Sequence, residues 1–193
     1  YMPDASLYNR MYPKEQGGWK SPTIMSIGIG QGEIEMTTLQ MANLAAILAN
    51  RGYYYTPHLL RGLKNRYFEQ SSNYQLRHEV SVEKQYFVPV IEGMLQVIHG
   101  GTGYKAFVPN LSICGKTGTS QKPHGEDHSV FIAFAPVDQP EIAIAVMIEN
   151  AGAGNDVAAP MAGLVAEYYL KDSIPSNRKW LVESVSNMQV IQP

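Results

Sequence analysis

Cysteine is almost absent from the sequence: Cys114 is the only one among 193 residues. A lone cysteine excludes an internal disulfide and any metal site built from several cysteines, and the apolar residues before it predict a buried, unreactive thiol. The sequence also lacks an apolar run whose length approaches the ~18 residues of a membrane-spanning helix. Residues Tyr1–Ala5 have neither the basic nor the apolar segment of a signal peptide. We therefore expect any targeting or anchoring segment to lie outside this chain, and the start at Tyr1 predicts a piece of a longer protein.

An excess of charge of either sign is lacking too. The 15 Lys and Arg residues nearly balance the 17 Asp and Glu residues, which gives a formal net charge of −2. This balance gives no electrostatic reason to expect nucleic acid or an anionic membrane surface as a partner. With 45% apolar and 17% charged residues, the composition is that of an ordinary globular domain.

Capping signals predict three helices. The first has Thr37 as its N-cap and Gln40 as the capping-box partner, and its many alanines predict an interior helix that ends at Gly52. The second starts near Ser81, which we expect to be its N-cap, and ends at Gly100–Gly101. Its core-facing residues are expected at helical spacing: Val88, Ile91, Leu95 and Ile98.

Asn155 or Asp156 is expected to cap the third helix, which has Pro160 in its first turn and ends near Leu170. Pro89 is expected to start a new segment of the second helix or to kink it. Residues 171–193 are predicted to be a tail.

Three apolar runs predict an antiparallel meander, with strands at residues 111–119, 128–135 and 141–149. The segment Tyr53–Leu60 is predicted to be extended and edge-like because it contains Pro57, and His58 is expected to be structural.

The rest of the chain is predicted to be loop. Residues 1–23 are expected to form loop with short helical turns at most, anchored to the body by Trp19, and residues 64–79 a surface hairpin or loop. The glycines of residues 24–32 favour a tight structural loop over a phosphate-binding loop, because the Gly-x-Gly-x-x-Gly spacing is absent.

The segment Gly115–Gln121 carries the chemistry. On a strand, Thr117 and Thr119 share one face and can offer two hydroxyls to one anion, while Gly118 keeps the backbone approachable. Lys116 adds a positive charge, and the Thr119 N–H can face a carbonyl laid along the strand. Such an arrangement suits acyl transfer but lacks a nucleophile. A Lys-Thr-Gly triplet alone is equally compatible with a surface lysine at a glycine turn.

A second candidate site is the segment His124–His128, whose two histidines and two carboxylates could ligate a metal. The spacing is not His-Glu-x-x-His, and Pro123 and Gly125 predict a mobile turn. A solvated loop is therefore the favoured interpretation, and no metal or cofactor is predicted.

Taken together, residues 17–170 resemble the C-terminal half of the transpeptidase domain of a penicillin-binding protein, closest to the class B, elongation-type enzymes. The matching segments occur in the family's order: residues 27–32, Thr37–Gln40, Ala49–Gly52, Glu92–Met94, Gly101–Gly103, Gly115–Gln121, Phe131–Pro136, Glu149–Asn150 and Ala158–Pro160. One departure is Thr38, where the family usually has proline. The resemblance implies an α+β fold, an antiparallel sheet flanked by helices, that is incomplete here, with residues 1–170 as the C-terminal part of that domain.

The family also requires a Ser-x-x-Lys motif and a Ser-x-Asn motif before Lys-Thr-Gly. Ser81–Lys84 and Ser71–Asn73 match these patterns, but in the wrong order, and Ser81 has a sufficient role as a cap. Ser176, in a third formal match, lies in the predicted tail. We therefore expect no nucleophile in this chain and place it upstream of Tyr1.

By this resemblance the whole protein is a periplasmic, membrane-anchored D,D-transpeptidase that cross-links peptidoglycan stem peptides and is acylated by β-lactams. Lys116 and Thr119 would be catalytic, and Thr117, Gly118 and Thr119 would bind the substrate carboxylate. The expected partners are a membrane-embedded glycan polymerase and the elongation machinery. A β-lactam sensor domain is one alternative function, and a D,D-carboxypeptidase or serine β-lactamase is another.

Overall fold

The computed structural model describes residues 3–59, 72–121 and 125–188. The chain forms two compact units that divide between Thr37 and Thr38. Over the described ranges, no helix combines the length and apolar character needed to cross a bilayer. The helices are α1 (Ala5–Met11), α2 (Thr38–Ala49), α3 (Ser72–Gln75), α4 (Phe87–His99), α5 (Ala158–Lys171) and α6 (Lys179–Ser186). The strands are β1 (Tyr53–Tyr55), β2 (Arg77–Glu79), β3 (Cys114–Ser120), β4 (His128–Ala135) and β5 (Ile142–Ile148).

The first unit is organised around Tyr8 of α1. Its side chain is 3% exposed, its ring lies 5.5 Å from that of Trp19, and its hydroxyl donates to the Glu33 carboxylate. The indole N–H of Trp19 donates to Asn9, 2.9 Å away. Trp19 therefore packs on α1 within its own segment, whereas the sequence predicts an anchor to the body and at most short helical turns here.

The glycine-rich segment is helical. A 3₁₀ helix spans Ser21–Ile29 and ends at Gly30, whose φ of 76° is left-handed. The predicted tight loop is therefore wrong, and no glycine-rich loop opens onto an α-helix here as a phosphate-binding loop requires.

The second unit contains the predicted meander. Strands β3, β4 and β5 form an antiparallel sheet in that order, with Thr117 opposite Phe131 and Phe131 opposite Val146. The predicted limits of β4 are confirmed. The first strand begins at Cys114 rather than at residue 111, because Leu111 turns back to bridge with Val108.

Both faces of β4 are covered, one completely and the other in part: Phe134 is buried there, whereas Val130 and Ile132 are half-buried. On one face Phe131 and Ala133 pack with Ala158 and Ala162 of α5. On the other, Phe134 packs in a second cluster with residues of α2 and α4: Ala49, Phe87, Ile91 and Met94. Because strand side chains alternate between faces, this burial requires helices on both sides of the sheet. The α+β class with a sheet flanked by helices is confirmed.

Helix α2 begins after Thr37, as predicted, and the N–H of Gly52 closes it on the Ile47 carbonyl at 2.9 Å. Its burial is less than expected. Ala45 and Ala49 are buried, whereas Leu39 is 61% exposed. The interior helix that its alanines predict is therefore only half buried.

Helix α4 does not begin at Ser81. A 3₁₀ turn at Lys84–Tyr86 leads into the helix at Phe87, so the prediction of Ser81 as N-cap is wrong. Pro89 gives the reason, because proline lacks an N–H and is tolerated in the first turn of a helix. The buried residues are Phe87, Ile91, Met94 and Ile98, whereas Val88 is exposed.

Helix α5 also begins without the predicted cap. The Asn155 side chain accepts from the main-chain N–H of Lys105 at 3.4 Å, and the Asp156 carboxylate accepts from the Nζ of the same lysine at 2.7 Å. Val157 occupies the N-cap position. Pro160 lies in the first turn as predicted.

The predicted hairpin of residues 64–79 is described only from residue 72. There β2 pairs with β1 in a two-stranded antiparallel sheet. The Nδ1 of His58 lies 2.8 Å from the carbonyl oxygen of Thr56, and its ring lies 4.8 Å from that of Tyr74. These contacts fit the structural role expected of His58.

The segment after α5 is ordered by a buried ion pair, where the sequence predicts only a tail. Glu167 is fully buried, and Arg178 donates to its Oε2 from Nε at 2.7 Å and to the Phe107 carbonyl at 3.2 Å. Lys171 lies 3.5 Å from Oε1 of the same carboxylate. This cluster fixes the start of α6, which packs on α5.

Replacing Arg178 with alanine is expected to destabilise the fold by about 3 kcal/mol, because the buried Glu167 carboxylate loses its main partner. Urea unfolding measures the effect. The matched control is Arg77→Ala, whose pair with Glu79 is exposed at 44% and 68% and should cost less than about 1 kcal/mol. Equal losses in the two variants would contradict this account.

Candidate active site

Strand β3 lies at an edge of the three-stranded sheet, since its described partner is β4 alone. An edge strand presents unpaired main-chain groups to which an extended ligand can pair. Along β3 the side chain of Lys116 is exposed, and Thr117, Gly118 and Thr119 are half-buried. The predicted site residues therefore lie together on an accessible strand.

The two threonines of β3 share one face, and Lys116 projects from the other. The Lys116 Nζ donates to the Thr117 carbonyl oxygen at 2.8 Å, so its charge lies against its own strand. The arrangement offers hydroxyls, a main-chain edge and a cation within three residues, which suits an anionic, extended ligand.

A further residue joins this site. The Oγ1 of Thr102 lies 2.9 Å from the Oγ1 of Thr117. Thr102 belongs to the turn after α4, in the segment Gly101–Gly103 that the resemblance includes but to which it assigns no role. The pattern Gly-Thr-Gly is the signal that could have identified it, because two glycines around one hydroxyl residue indicate a close backbone approach.

Glycines also bring a second segment onto β3. A Cβ on Gly154 would lie 2.5 Å from the Gly118 carbonyl oxygen and 3.1 Å from the Gly118 nitrogen. Ser129 on β4 holds this segment, because its hydroxyl donates to the Ala153 carbonyl at 3.0 Å and accepts from the Ala158 N–H at 3.2 Å. The loop before α5 therefore supports β3 through backbone contact.

Cys114, at the start of β3, is fully buried, and its thiol donates to the Ile91 carbonyl at 3.4 Å. Burial raises its pKa to about 11, so the thiol stays protonated at neutral pH. The prediction of an inert cysteine is confirmed.

Of the serine motifs rejected on sequence grounds, the structure describes those that contain Ser81 and Ser176. Ser81 and Lys84 are both exposed and line a shallow, open cavity of about 270 Å³ beside Arg51. Ser71 lies outside the described residues, and Ser176 starts a 3₁₀ turn before α6. A nucleophile needs a shielded base within hydrogen-bond reach, and the exposed Ser81 does not have that setting.

The segment His124–His128 is described only from Gly125, so His124 lies outside the described residues. His128 accepts from the Asn150 N–H through Nδ1, at 3.1 Å. Within the described ranges no group of three His, Cys, Asp or Glu side chains could hold a metal ion.

Residues 6–167 match the model of the penicillin-binding protein transpeptidase domain family. The chain is 34% identical over 183 residues to the peptidoglycan D,D-transpeptidase MrdA of Haemophilus influenzae, which covers 85% of this chain and 28% of that protein. It is also similar to the crystal structure of Pseudomonas aeruginosa PBP2 in complex with WCK 5153, with a TM-score of 0.70 and 30% identity over 91% of this chain and 38% of that one.

A third similar structure is the imipenem acyl-enzyme complex of penicillin-binding protein A from Mycobacterium tuberculosis. The TM-score is 0.61 and the identity 31%, over 75% of this chain and 33% of that one. The chain thus spans between a quarter and two fifths of the length of these relatives.

Replacing Gly154 with alanine is expected to destabilise the protein by about 2 kcal/mol, because the added methyl group overlaps the Gly118 backbone. Thermal unfolding measures the loss. The control is Gly93→Ala on α4, where a Cβ meets nothing within 4 Å and the higher helix propensity of alanine should be neutral or stabilising. A Gly154→Ala protein as stable as this control would show that the loop does not press on β3.

Proposed function

The chain belongs to the penicillin-binding protein transpeptidase domain family, and from this membership we propose that the whole protein is a peptidoglycan D,D-transpeptidase of the cell-elongation type. The observation that supports the proposal is the edge strand β3, on which Lys116, Thr117 and Thr119 are accessible together. In the proposed function this strand forms one wall of the substrate cleft. Its substrates are stem peptides that end in D-Ala-D-Ala.

The reaction is an acyl transfer. A serine outside this chain attacks the carbonyl carbon of the penultimate D-Ala, the peptide bond breaks, and the terminal D-Ala leaves with the proton it needs as an amine. An amine of a second stem peptide then attacks the acyl-serine ester, which restores the serine hydroxyl and forms the cross-link. No cofactor takes part.

The residues of β3 bind and polarise the donor. Thr117 and Thr119 donate hydroxyl hydrogen bonds to the terminal carboxylate, and Lys116 attracts that carboxylate and supports the proton network around the serines. The Thr119 N–H and the N–H of the nucleophilic serine stabilise the oxyanion that forms on the scissile carbonyl. Gly118 lets the substrate backbone approach the strand.

β-Lactams enter the same site, because their strained amide and carboxylate mimic the D-Ala-D-Ala end. The imipenem acyl-enzyme complex of the similar Mycobacterium tuberculosis protein supports this step. By the family's organisation, the protein is anchored to the membrane by a segment outside this chain and acts in the periplasm. Its partners are a membrane-embedded glycan polymerase and other elongation proteins.

Replacing Lys116 with alanine in the full-length protein is expected to reduce acylation by a labelled penicillin at least ~100-fold, since the cation in the cleft is lost. Lys116→Arg should not restore it, because the planar guanidinium places its donors elsewhere. The control is Lys179→Ala at the exposed start of α6. Labelling of Lys116→Ala at the rate of the unmodified protein would remove Lys116 from the mechanism.

The 193-residue chain alone is expected to form no covalent adduct with penicillin, because Ser81 and Lys84 are exposed and nothing shields a base beside them. Intact mass after incubation with a labelled penicillin decides this. An adduct that disappears on Ser81→Ala would identify a nucleophile in this chain.

A further inference from the structure

We propose that Thr102 is a positioning residue, whose hydroxyl orients the Thr117 hydroxyl toward the carboxylate of the bound donor. This inference rests on the proposed function, and it assigns a specificity role to the turn after α4. Thr102 acts through Thr117 and contacts no reacting atom.

The carrying observation is the 2.9 Å contact between the two Oγ1 atoms. Thr102 is exposed and Thr117 half-buried, so the pair lies at the protein surface rather than in the core. Because Thr102 is exposed, packing in the core does not account for the position of its hydroxyl group. The contact therefore fixes the rotamer of a side chain that must present its hydroxyl to a ligand.

The turn that carries Thr102 is rigidly placed. The N–H of Gly101 donates to the Gln96 carbonyl at 3.1 Å, and that of Gly103 donates to the Val97 carbonyl at 2.9 Å. Both glycines are required, because a Cβ on Gly101 would lie 2.8 Å from the Val97 Cα and one on Gly103 would lie 2.9 Å from the Phe131 ring. The two flanking positions thus hold Thr102 against β3.

Phe131 links the two threonines. It is the cross-strand partner of Thr117, and its ring limits the space at Gly103 next to Thr102. The buried Phe131 ring therefore constrains the backbone beside both threonines. Packing in the core, rather than a flexible surface loop, brings their hydroxyl groups into contact.

The direction of the hydrogen bond matters for binding an anion. Either threonine can be the donor in the contact. A carboxylate only accepts, so Thr117 must give its proton to the ligand, and Thr102 must then give its own proton to Thr117. The resulting chain of hydrogen bonds from Thr102 to Thr117 to the carboxylate is mutually polarising.

The test uses the full-length protein and measures two constants for a penicillin: the dissociation constant of the non-covalent complex and the acylation rate constant. Thr102→Val removes the hydroxyl and keeps the shape, and it is expected to weaken the non-covalent complex about fivefold, the loss that one net hydrogen bond gives. The acylation rate constant should change less than twofold. Thr102→Ser, which keeps the hydroxyl, should restore binding. The control is Thr56→Val, which removes a similar hydroxyl contact to His78 outside the cleft.

A double-mutant cycle separates positioning from direct binding. If Thr102 acts through Thr117, then Thr102→Val/Thr117→Val should bind penicillin no more weakly than Thr117→Val alone. Losses that add in the double variant, or unchanged binding by Thr102→Val, overturn the proposal.

Crystal structures of the wild type and of Thr102→Val give a readout that does not need activity. The Thr117 side chain should occupy one rotamer in the wild type and more than one in the variant. An unchanged Thr117 rotamer overturns the proposal even if binding weakens. If the wild type is not acylated at all, the proposed function fails, and the rotamer comparison still decides whether Thr102 positions Thr117.

Discussion

The covering of β4 on both faces is the constraint on which the second unit depends. Phe131 and Phe134 are both fully buried, and since they alternate along the strand they point into different clusters. Helices must therefore cover both sides, α5 on one and α2 with α4 on the other. A Cβ on Gly115 would overlap the Phe131 ring, so this ring also requires glycine at the start of β3. Strand β3 is in this sense an extension of the core.

The strands could be predicted because their signal is local. His128–Ala135 is apolar nearly throughout, as a strand covered on both faces must be, and its limits are confirmed. Helix caps were harder, because a capping side chain can find a better partner elsewhere. Asn155 and Asp156 have the chemistry of caps but bind Lys105, fifty residues away, and Pro89 draws the start of α4 away from Ser81.

Long-range pairing explains what else the sequence could not show. The segment after α5 is held in place because Arg178 donates hydrogen bonds to Glu167 and to the Phe107 carbonyl. No local sequence pattern indicates that a charged residue such as Glu167 is buried. The residues of the site were predictable on β3, where Thr117 and Thr119 follow from strand alternation. Thr102 lies in a segment that the resemblance includes, but its contact with Thr117 could not be predicted, because the contact arises only when the turn after α4 packs on Phe131.

The proposed function divides binding and chemistry between different parts of the protein. The described residues supply a rigid edge strand, whose backbone is approached closely by Gly154 and whose threonine is held by Thr102. Rigid donors cost little reorganisation when an anion arrives, which is what oxyanion and carboxylate recognition requires. The nucleophile needs a shielded base instead, and the packing that holds β3 in place provides none to Ser81. The strand can therefore be well ordered for recognition whether or not the serine that completes the reaction is bound against it.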